Sequence, residues 1–524
     1  MQVLDDPQVF IPELFASHAR FFPRREAVIC GEVRRTWGDF GRNIDRMAAA
    51  LAARGIGRGD RVGVLMGNCV ETLEVIFGIV RAGACAVPLS GLLTGAQLAA
   101  LLADSGACAV FATGEFRARL EPSRPVLQAI APDRFVAVHG SLPGWQDFEV
   151  FLGAGDGVVP PVVLRSDDPF NIIYSSGTTG LPKGIVQTHR ARLHWAFSNA
   201  VEMGFTDTAR ALTTTSLYSN GTWLVMLPVL FAGGTLVVMP GFDTAAFLSL
   251  VAAERITHTF MVPSQFQMLL ADPGLADAKT GSLRMMLCAG SPLRRETQRA
   301  VIARFGPVLH EIYGFSEGFA TMLKPSHPPE KADTVGTPVL GFEIAIVDEE
   351  GCELPRGEIG EIAGYGAGMM AGYHDRPQET HALIWRDARG RSFIRSGDIG
   401  RLDADGFLSI VDRKKDMIIS GGFNVFPRDL EDVVAGHPAV ADVTVIGIPH
   451  AKWGETPLAL VIPRADADAD ADAEAILAWA NARLGRHQRL HQVEFRTEFP
   501  RNALGKVLKK DLRAPYWTGT GRTM

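Results

Sequence analysis

The sequence predicts an α/β protein in which doubly wound parallel sheets come first, followed by a small β-barrel-like part and a small α+β domain. Three observations lead to this fold class. Apolar strand-like runs alternate with helix patterns through roughly the first 310 residues, which is the order of a parallel sheet. Short segments rich in Gly and Asp follow from about residue 336, which favours antiparallel pairing. A helix–strand pattern then returns over about 427–463.

The first hundred residues show the alternation plainly. Thr36 and Asp39 have the spacing of a capping box, which predicts that a helix begins there. Its apolar face is formed by Phe40, Ile44, Met47 and Leu51. A buried-strand run follows at 62–66, then an apolar helix to about Ala82 and a strand from Cys85. This β-α-β-α-β order predicts a doubly wound parallel sheet.

The same alternation recurs between about 168 and 310. We predict strands at 170–174 and 235–239 and a helix at 247–256. Turn signals at close spacing then predict a small antiparallel sheet or barrel. The charged run at 412–416 predicts a connector to the C-terminal α+β domain.

The composition is that of a globular protein. The chain has 524 residues, 47% hydrophobic and 21% charged, with a formal net charge of −6, which argues against disorder and against a nucleic-acid partner. Six scattered cysteines without a CxxC pair give little support to a disulfide or zinc framework. The apolar stretch 223–239 is broken by Pro228 and by Gly233-Gly234, so we predict a short helix and a strand, not a membrane span. We expect a cytoplasmic protein, since the N-terminus lacks the pattern of a secretory signal.

A loop rich in Gly and hydroxyl residues carries the strongest chemical signal. YSSGTTGLPKG runs from Tyr174 to Gly184, directly after the predicted strand FNIIY. Its glycines let the backbone approach a ligand, and its hydroxyls and Lys183 suit phosphate oxygens. It is not a Walker loop, because Pro182 precedes the lysine and a strand-like run follows. The residues predicted to hold phosphate are Ser175, Ser176, Gly177, Thr178, Thr179, Gly180 and Lys183.

This loop resembles the phosphate-loop signature of the adenylate-forming superfamily. That group includes acyl-CoA synthetases, adenylation domains of peptide synthetases and firefly-type luciferases. Further motifs similar to those of the superfamily follow in its order over about 330 residues, and the resemblance covers essentially the whole chain. They are YGFSEG (313–318), GEIGE (357–361), RSGDIG (395–400), DRKKDMIISGGFNVFPRDLE (412–431) and PRNALGKV (500–507).

The resemblance implies a two-step ligase. A carboxylic acid would react with ATP and Mg²⁺ to give an acyl-adenylate and pyrophosphate, and the CoA thiol would then form acyl-CoA and release AMP. The implied organisation is an N-terminal AMP-binding domain at 1–412, with two layered α/β subdomains over about 1–335 and a β-rich subdomain over about 336–412. A mobile C-terminal domain would follow at 413–524. A small-molecule acid, ATP and CoA are the expected partners, and a homodimer is an open alternative to a monomer.

The resemblance also implies roles for single residues. Lys506, Glu317 and Lys183 are the expected catalytic residues. The two lysines would supply the positive charge that attack of a carboxylate on the α-phosphorus of ATP needs. Glu317 would bind Mg²⁺ through hard carboxylate oxygens. Lys415 matches the hinge position, and Gly421 and Gly422 resemble the glycines of the CoA tunnel. The other expected ATP-binding residues are Gly290, Ser291, Pro292, Tyr313, Gly314, Ser316, Asp398 and Arg413.

The motif YGFSEG leaves a rival interpretation. Its core fits the G-x-S-x-G nucleophile elbow, which would make Ser316 the nucleophile of a serine hydrolase. An adenylation enzyme that serves an acceptor other than CoA, and a relative that only binds ligand, also remain open. The presence of the other motifs favours the acyl-CoA ligase.

Two segments, SLYSNGTW (216–223) and CAGSP (288–292), are expected to line the tunnel for the acid. Neither contains Arg or Lys, which argues against a dicarboxylic acid. We therefore expect an apolar monocarboxylic acid, a medium- or long-chain fatty acid first and an aromatic or alicyclic acid second. The candidate pocket residues are Tyr218, Asn220, Trp223, Phe260, Met261, Val262 and Phe315, with core packing as the alternative for each apolar side chain.

Overall fold

The computed structural model describes residues 8–140, 142–153, 155, 159, 161–174, 182–420, 423–464, 472–486, 488–501 and 507–518. The chain divides into two units. The first comprises Met1–His327, Pro338–Glu343 and Tyr365–Ile384. The second comprises Pro328–Thr337, Ile344–Gly364 and Trp385–Met524. The predicted domain boundary between 412 and 413 stays a prediction.

Buried apolar strands build a nine-stranded sheet. Its central pairs are parallel, as the alternation predicted, and antiparallel pairs lie toward both ends. The strands, in spatial order, are Thr337–Pro338, Ala320–Leu323, Leu309–Gly314, Met285–Cys288, His258–Met261, Arg210–Thr213, Thr235–Val238, Glu26–Cys30 and Val33–Thr36.

An eight-stranded sheet belongs to the first unit. The strand predicted at 170–174 is observed as Pro169–Tyr174 and pairs antiparallel with Gly184–Thr188. The next pairs along the sheet are parallel. In spatial order the strands are Gly372–Tyr373, Gly184–Thr188, Pro169–Tyr174, Cys85–Pro88, Arg61–Leu65, Ala107–Thr113, Phe135–Val138 and Gln146–Asp147.

Helices connect the strands of both sheets. Trp37–Ala52 begins with the predicted capping box, because Thr36 Oγ1 accepts from the Asp39 amide at 3.1 Å and Asp39 Oδ2 accepts from the Thr36 amide at 3.2 Å. The other α-helices of the first unit are Ile11–Phe21, Val70–Arg81, Gly95–Asp104, Gly114–Leu120, Phe148–Leu152, His189–Met203, Trp223–Phe231, Thr244–Ala253, Pro263–Ala271, Arg295–Phe305 and Pro377–His381. Short 3₁₀ segments are Glu121–Val126, Pro132–Arg134 and Pro273–Leu275.

The apolar stretch at 223–239 folds as the sequence predicted. It forms the short helix Trp223–Phe231 and the strand Thr235–Val238, with Gly233 at φ +78° between them. Within the ranges that the structure describes, no helix is both long enough and apolar enough to span a bilayer.

Antiparallel pairing dominates after residue 340, as predicted. One sheet pairs Phe342–Val347, Gly360–Gly366, Ser392–Leu402 and Ile384–Arg386 in that order, with Leu408–Arg413 beside the third. The last sheet contains Phe423–Val425, Ile418–Ser420, Gly454–Pro463 and Val440–His450, with Gln492–Phe495 beside the third. Helices of the second unit are Pro427–Ala435, Ala473–Asn481 and Lys509–Trp517, with the 3₁₀ turn Pro329–Lys331.

The last sheet has its own hydrophobic core. Leu430 and Val434 from one helix and Ile476 from another are fully buried against the sheet residues Val445 and Val461. This apolar contact accounts for the α+β arrangement that the pattern over 427–463 predicted.

Gly78 lets two helices of the first unit come into close contact. A Cβ at this position would lie 2.3 Å from Met47 Cγ, closer than carbon atoms approach. We expect Gly78→Ala to lower the free energy of unfolding by about 1–3 kcal/mol, although alanine is the better helix former by about 1 kcal/mol. Denaturant-induced unfolding followed by circular dichroism measures this change.

Gly241→Ala is the matched control. A Cβ at Gly241 meets no atom within 4 Å, so stability should stay within about 0.5 kcal/mol of the original. Equal or greater stability of Gly78→Ala would contradict the close helix contact.

Candidate active site

The carboxyl ends of neighbouring parallel strands bring the predicted site segments to one edge of the nine-stranded sheet. Strands Arg210–Thr213, His258–Met261, Met285–Cys288 and Leu309–Gly314 are adjacent and parallel. Ligands bind at this edge in open α/β sheets. The segments that follow the four strands carry Tyr218 and Asn220, then Val262, then Gly290, Ser291 and Pro292, and finally Phe315, Ser316 and Glu317.

Lys183 lies at the far end of the predicted phosphate loop. Strand pairing sets Tyr174 opposite Gly184, so the two ends of the loop face each other. The predicted phosphate-binding residues Ser175, Ser176, Gly177, Thr178, Thr179 and Gly180 lie outside the described residues. Lys183 Nζ is 2.6 Å from Glu379 Oε2 and 4.7 Å from the centroid of the Tyr373 ring. The positive charge of the loop is therefore already paired.

A chain of charged side chains continues from this pair. Glu379 also contacts Arg376 at 3.4 Å, and Arg376 contacts Asp104 at 3.1 Å. Asp104 Oδ2 accepts a hydrogen bond of 2.7 Å from the hydroxyl of Tyr174. The hydrogen bond from Lys183 is the main cause of the lowered pKa of Glu379. The network links both ends of the phosphate loop to the helix Pro377–His381.

Tyr373 connects Lys183 to the predicted magnesium ligand. Its hydroxyl donates a hydrogen bond of 2.8 Å to Glu317 Oε1, and the ammonium group of Lys183 lies over the face of its ring in a cation–π contact. The Glu317 carbonyl accepts from the Met370 amide at 2.9 Å, which holds the loop. Burial and the neighbouring carboxylate raise the pKa of Tyr373, so it stays a donor. Two predicted catalytic residues, Lys183 and Glu317, thus both contact the side chain of Tyr373.

Ser316 is held from two sides by amide groups. Gln187 Nε2 donates to its main-chain carbonyl at 2.7 Å, and Asn220 Nδ2 donates to its Oγ at 3.1 Å. Neither bond comes from an imidazole. In the described part of the chain, the Ser316 hydroxyl therefore lacks the general base that a nucleophilic serine needs.

Arg192 brings a positive charge to the predicted acid segment. Its Nη2 donates to Asn220 Oδ1 at 3.0 Å, its Nε donates to Asn171 Oδ1 at 2.7 Å, and its guanidinium lies 4.5 Å from the Trp223 ring centroid. Burial lowers the pKa of Arg192 to about 9. Residues 216–223 contain no Arg or Lys, yet the fold supplies one from the helix His189–Met203.

The candidate pocket residues differ in burial. Tyr218, Asn220 and Phe315 are half-buried, whereas Trp223, Phe260 and Val262 are buried. Phe260 packs against the segment 216–223, because a Cβ on Gly221 would be 2.8 Å from Phe260 Cζ.

Neighbouring candidate residues pack against other apolar side chains. Met261 belongs to a hydrophobic core cluster. Tyr313 and Phe315 both pack edge-on against Phe319, with centroid distances of 6.5 and 5.0 Å.

In the second unit, strand register joins the predicted ribose ligands. Asp398 and Arg413 are paired residues of neighbouring strands, and Arg413 Nε lies 3.4 Å from Asp398 Oδ1. Asp398 is 8% exposed, so its carboxylate is oriented by the fold. The geometry suits a carboxylate that accepts bonds from a diol while a cation remains beside it.

The predicted hinge residue Lys415 is exposed as a whole, while its ammonium group is partly desolvated. Its carbonyl accepts from Arg513 Nη1 at 3.2 Å, and burial lowers the pKa of its ammonium group. Gly421, Gly422 and Lys506 lie outside the described residues. Arg501 and Val507, on either side of the lysine motif, form an isolated antiparallel bridge.

Comparison with known proteins identifies the class. The AMP-binding enzyme family matches residues 15–374, and the AMP-binding enzyme C-terminal domain matches residues 429–506. The chain therefore belongs to the AMP-binding enzyme family. It is an AMP-forming acid–thiol ligase of the acyl-CoA synthetase class, a family whose co-substrates are ATP and CoA.

Individual relatives match nearly end to end. A feruloyl-CoA synthase from Amycolatopsis is 35% identical over 95% of this chain and 97% of its own length. The medium/long-chain-fatty-acid–CoA ligase FadD8 of Mycobacterium tuberculosis is 33% identical over 95% of this chain and 89% of its own. The crystal structure of ATP-bound MatB from Rhodopseudomonas palustris superimposes with a TM-score of 0.87 at 28% identity, covering 98% of this chain and 100% of that protein. The match confirms the predicted fold class.

Sequence reasoning missed the residues that hold the predicted ones in place. Tyr373 and Glu379 lie far along the chain from Lys183, and Gln187 and Arg192 lie just beyond the phosphate loop. Tyr373 sits on a two-residue strand, Gly372–Tyr373, that no periodicity reveals. Arg192 did carry a signal, since an arginine in the first turn of a helix with buried neighbours is unusual.

The contacts of Ser316 argue against the serine-hydrolase alternative. We expect a fluorophosphonate probe to leave Ser316 unlabelled, because among the described residues its hydroxyl contacts an amide group and no base. Incubation of the native protein with the probe, followed by peptide mass spectrometry, measures labelling. A modified peptide containing Ser316 would show that the nucleophile-elbow interpretation is right.

Proposed function

We propose that this enzyme activates an apolar monocarboxylic acid by adenylation and transfers the acyl group to CoA. A carboxylate oxygen attacks the α-phosphorus of ATP, the bond to the leaving pyrophosphate breaks, and an acyl-adenylate forms. The CoA sulfur then attacks the acyl carbon, and AMP leaves as a thioester is made. The observation that carries the proposal is the convergence of Lys183, Tyr373 and Glu317 in contacts of 2.8 Å and 4.7 Å.

The charges of the first unit suit the adenylation step. Both reactants are anions, so the site must supply positive charge where negative charge develops. Lys183 would approach the leaving pyrophosphate once it separates from Glu379. Ser316, held by Gln187 and Asn220, offers a hydroxyl donor to an oxygen of the phosphate or the acid. Tyr313 offers a ring to the adenine.

The environment of Glu317 suits a residue that binds magnesium. One carboxylate oxygen is held by Tyr373, which orients the group, and oxygen donors are those that Mg²⁺ prefers. When bound with ATP, the ion would neutralise phosphate charge. Glu317 would hold the ion, and the ammonium group of Lys183 would supply further positive charge to the phosphates.

The second unit contributes the remaining proposed roles. Asp398 would accept hydrogen bonds from the ribose hydroxyls, with Arg413 beside it. Lys506 would bridge the reacting carboxylate and the α-phosphate during adenylation. Rotation about Lys415 would then withdraw Lys506 and present Gly421 and Gly422 to the CoA arm. These roles rest on the motifs that these residues occupy.

The apolar character of the proposed acid rests on the pocket candidates. Trp223 and Phe260 are buried aromatic side chains, and Tyr218 and Phe315 are half-buried. The two relatives described above are named for an aromatic acid and for fatty acids, and both kinds suit an apolar body. We propose these two classes as the substrates to test first.

The proposal is tested by release of pyrophosphate and AMP across a panel of fatty, aromatic and alicyclic acids, with and without CoA. We expect an acid that yields AMP and a thioester only when CoA is present. Pyrophosphate release without thioester would point to another acceptor. Absence of any nucleotide turnover with every acid would contradict the proposed function.

Lys506→Ala separates the two half-reactions. We expect the rate of adenylation to fall on the order of a hundredfold to a thousandfold. The variant lacks the positive charge of Lys506, which would stabilise the negatively charged transition state. Thioester formation from supplied acyl-adenylate should persist. Lys510→Ala is the matched control, because Lys510 is an exposed lysine of the neighbouring helix. Equal loss in both half-reactions would contradict the role of Lys506.

Glu379→Gln should strengthen ATP binding. The variant removes the partner that Lys183 must leave, and partly exposed ion pairs are worth less than about 1 kcal/mol, so the KM for ATP should fall about twofold to fivefold. Initial rates at varied ATP measure this. Glu149→Gln, which removes an exposed ion pair with Arg46, should leave the KM unchanged. A higher KM for ATP in Glu379→Gln would count against the proposed use of Lys183.

A further inference from the structure

Arg192 is a buried cation with an unusual environment. The residue is 3% exposed, and no carboxylate forms an ion pair with it among the residues that the structure describes. Burial of an unpaired charge is costly, so the hydrogen bonds that offset this cost define the environment of the group. Its partners are two amide oxygens, on Asn171 and Asn220, and the face of Trp223.

The first consequence concerns the orientation of Asn220. A guanidinium group only donates hydrogen bonds, so the atom of Asn220 that faces Arg192 must be the amide oxygen. The amide nitrogen then faces Ser316, where it donates to Oγ at 3.1 Å. The ambiguity that usually attends an asparagine side chain is thus removed by the chemistry of its neighbour.

The second consequence concerns the proton of Ser316. Because Oγ accepts from Asn220, the serine O–H points away from that amide and is free to donate elsewhere. Serine lacks the branching methyl group that restricts threonine, so its rotamer depends more on its neighbours. Gln187 holds the Ser316 carbonyl, and Gln187 is paired in register with Asn171, which also contacts Arg192.

We propose that Arg192 is a positioning residue that orients Asn220 so that the Ser316 hydroxyl is presented as a hydrogen-bond donor to the reacting phosphate or carboxylate. This inference rests on the proposed function, since it assigns the donor to the adenylation step. The relay Arg192–Asn220–Ser316 therefore acts on the rate of that step.

Asn220→Asp is the most direct test, because the two side chains have the same shape. The carboxylate still accepts from Arg192 and now pairs with its charge, so the thermal unfolding temperature should be unchanged or higher. It can no longer donate to Ser316, whose proton turns toward it and away from the substrate. We expect kcat for pyrophosphate release to fall on the order of tenfold, with a smaller change in the KM for ATP.

A double-mutant cycle with Ser316→Ala isolates the relay. Once the hydroxyl is absent, Asn220→Asp should cause little further loss of kcat. Arg192→Met should also lower kcat in the presence of Ser316 and have little effect in its absence. Arg190→Met, which changes an exposed arginine of the same helical turn, should retain the original kcat.

The outcomes separate this inference from the proposed function. If the unmodified enzyme releases pyrophosphate but Asn220→Asp leaves kcat unchanged, the relay is wrong and the proposed function stands. A kcat loss of equal size with and without the Ser316 hydroxyl would also overturn the relay. A kcat loss in Asn220→Asp that accompanies a lower unfolding temperature would do the same. If the unmodified enzyme turns over no acid, the proposed function itself fails.

Discussion

Backbone hydrogen bonding between parallel strands is the constraint on which the candidate site depends. Parallel neighbours end at the same edge of a sheet, so Arg210–Thr213, His258–Met261, Met285–Cys288 and Leu309–Gly314 deliver four separate chain segments to one place. Glu317 and Ser316 have their positions because the last of these strands ends there. The short antiparallel strand Gly372–Tyr373 adds the side chain that joins this edge to the phosphate loop.

Lys183 and Arg192, two cationic side chains of this site, have different environments. Lys183 is partly exposed and paired with Glu379, an arrangement that a phosphate can replace at small cost. Arg192 is buried and held by amide oxygens and an aromatic ring, so its guanidinium group is fixed by the fold. The first arrangement suits a group that must engage a ligand during turnover. The second suits a fixed frame that orients other polar groups.

Much of the fold could be predicted, because local patterns coincide with the final structure. The capping box at Thr36, the strand Pro169–Tyr174 and the broken apolar stretch at 223–239 all formed as expected. Within the second unit, the pairing of Asp398 with Arg413 brings together two residues that the motifs singled out. Tyr373 and Arg192 escaped prediction, since their importance comes from neighbours that are distant in the chain.

The amino-acid sequence by itself determined the order of helices and strands, the class of enzyme and the residue types that bear its chemistry. Those properties are encoded by periodicity and by short motifs, which act through local backbone geometry and side-chain chemistry. Only the tertiary structure decided which side chains support the motif residues. Tyr373 reaches Glu317 across 56 positions of the chain and Asn220 reaches Ser316 across 96, contacts that arise from sheet topology and packing. Such contacts have no local signature, because hydrogen bonds join atoms that are near in space and not in sequence.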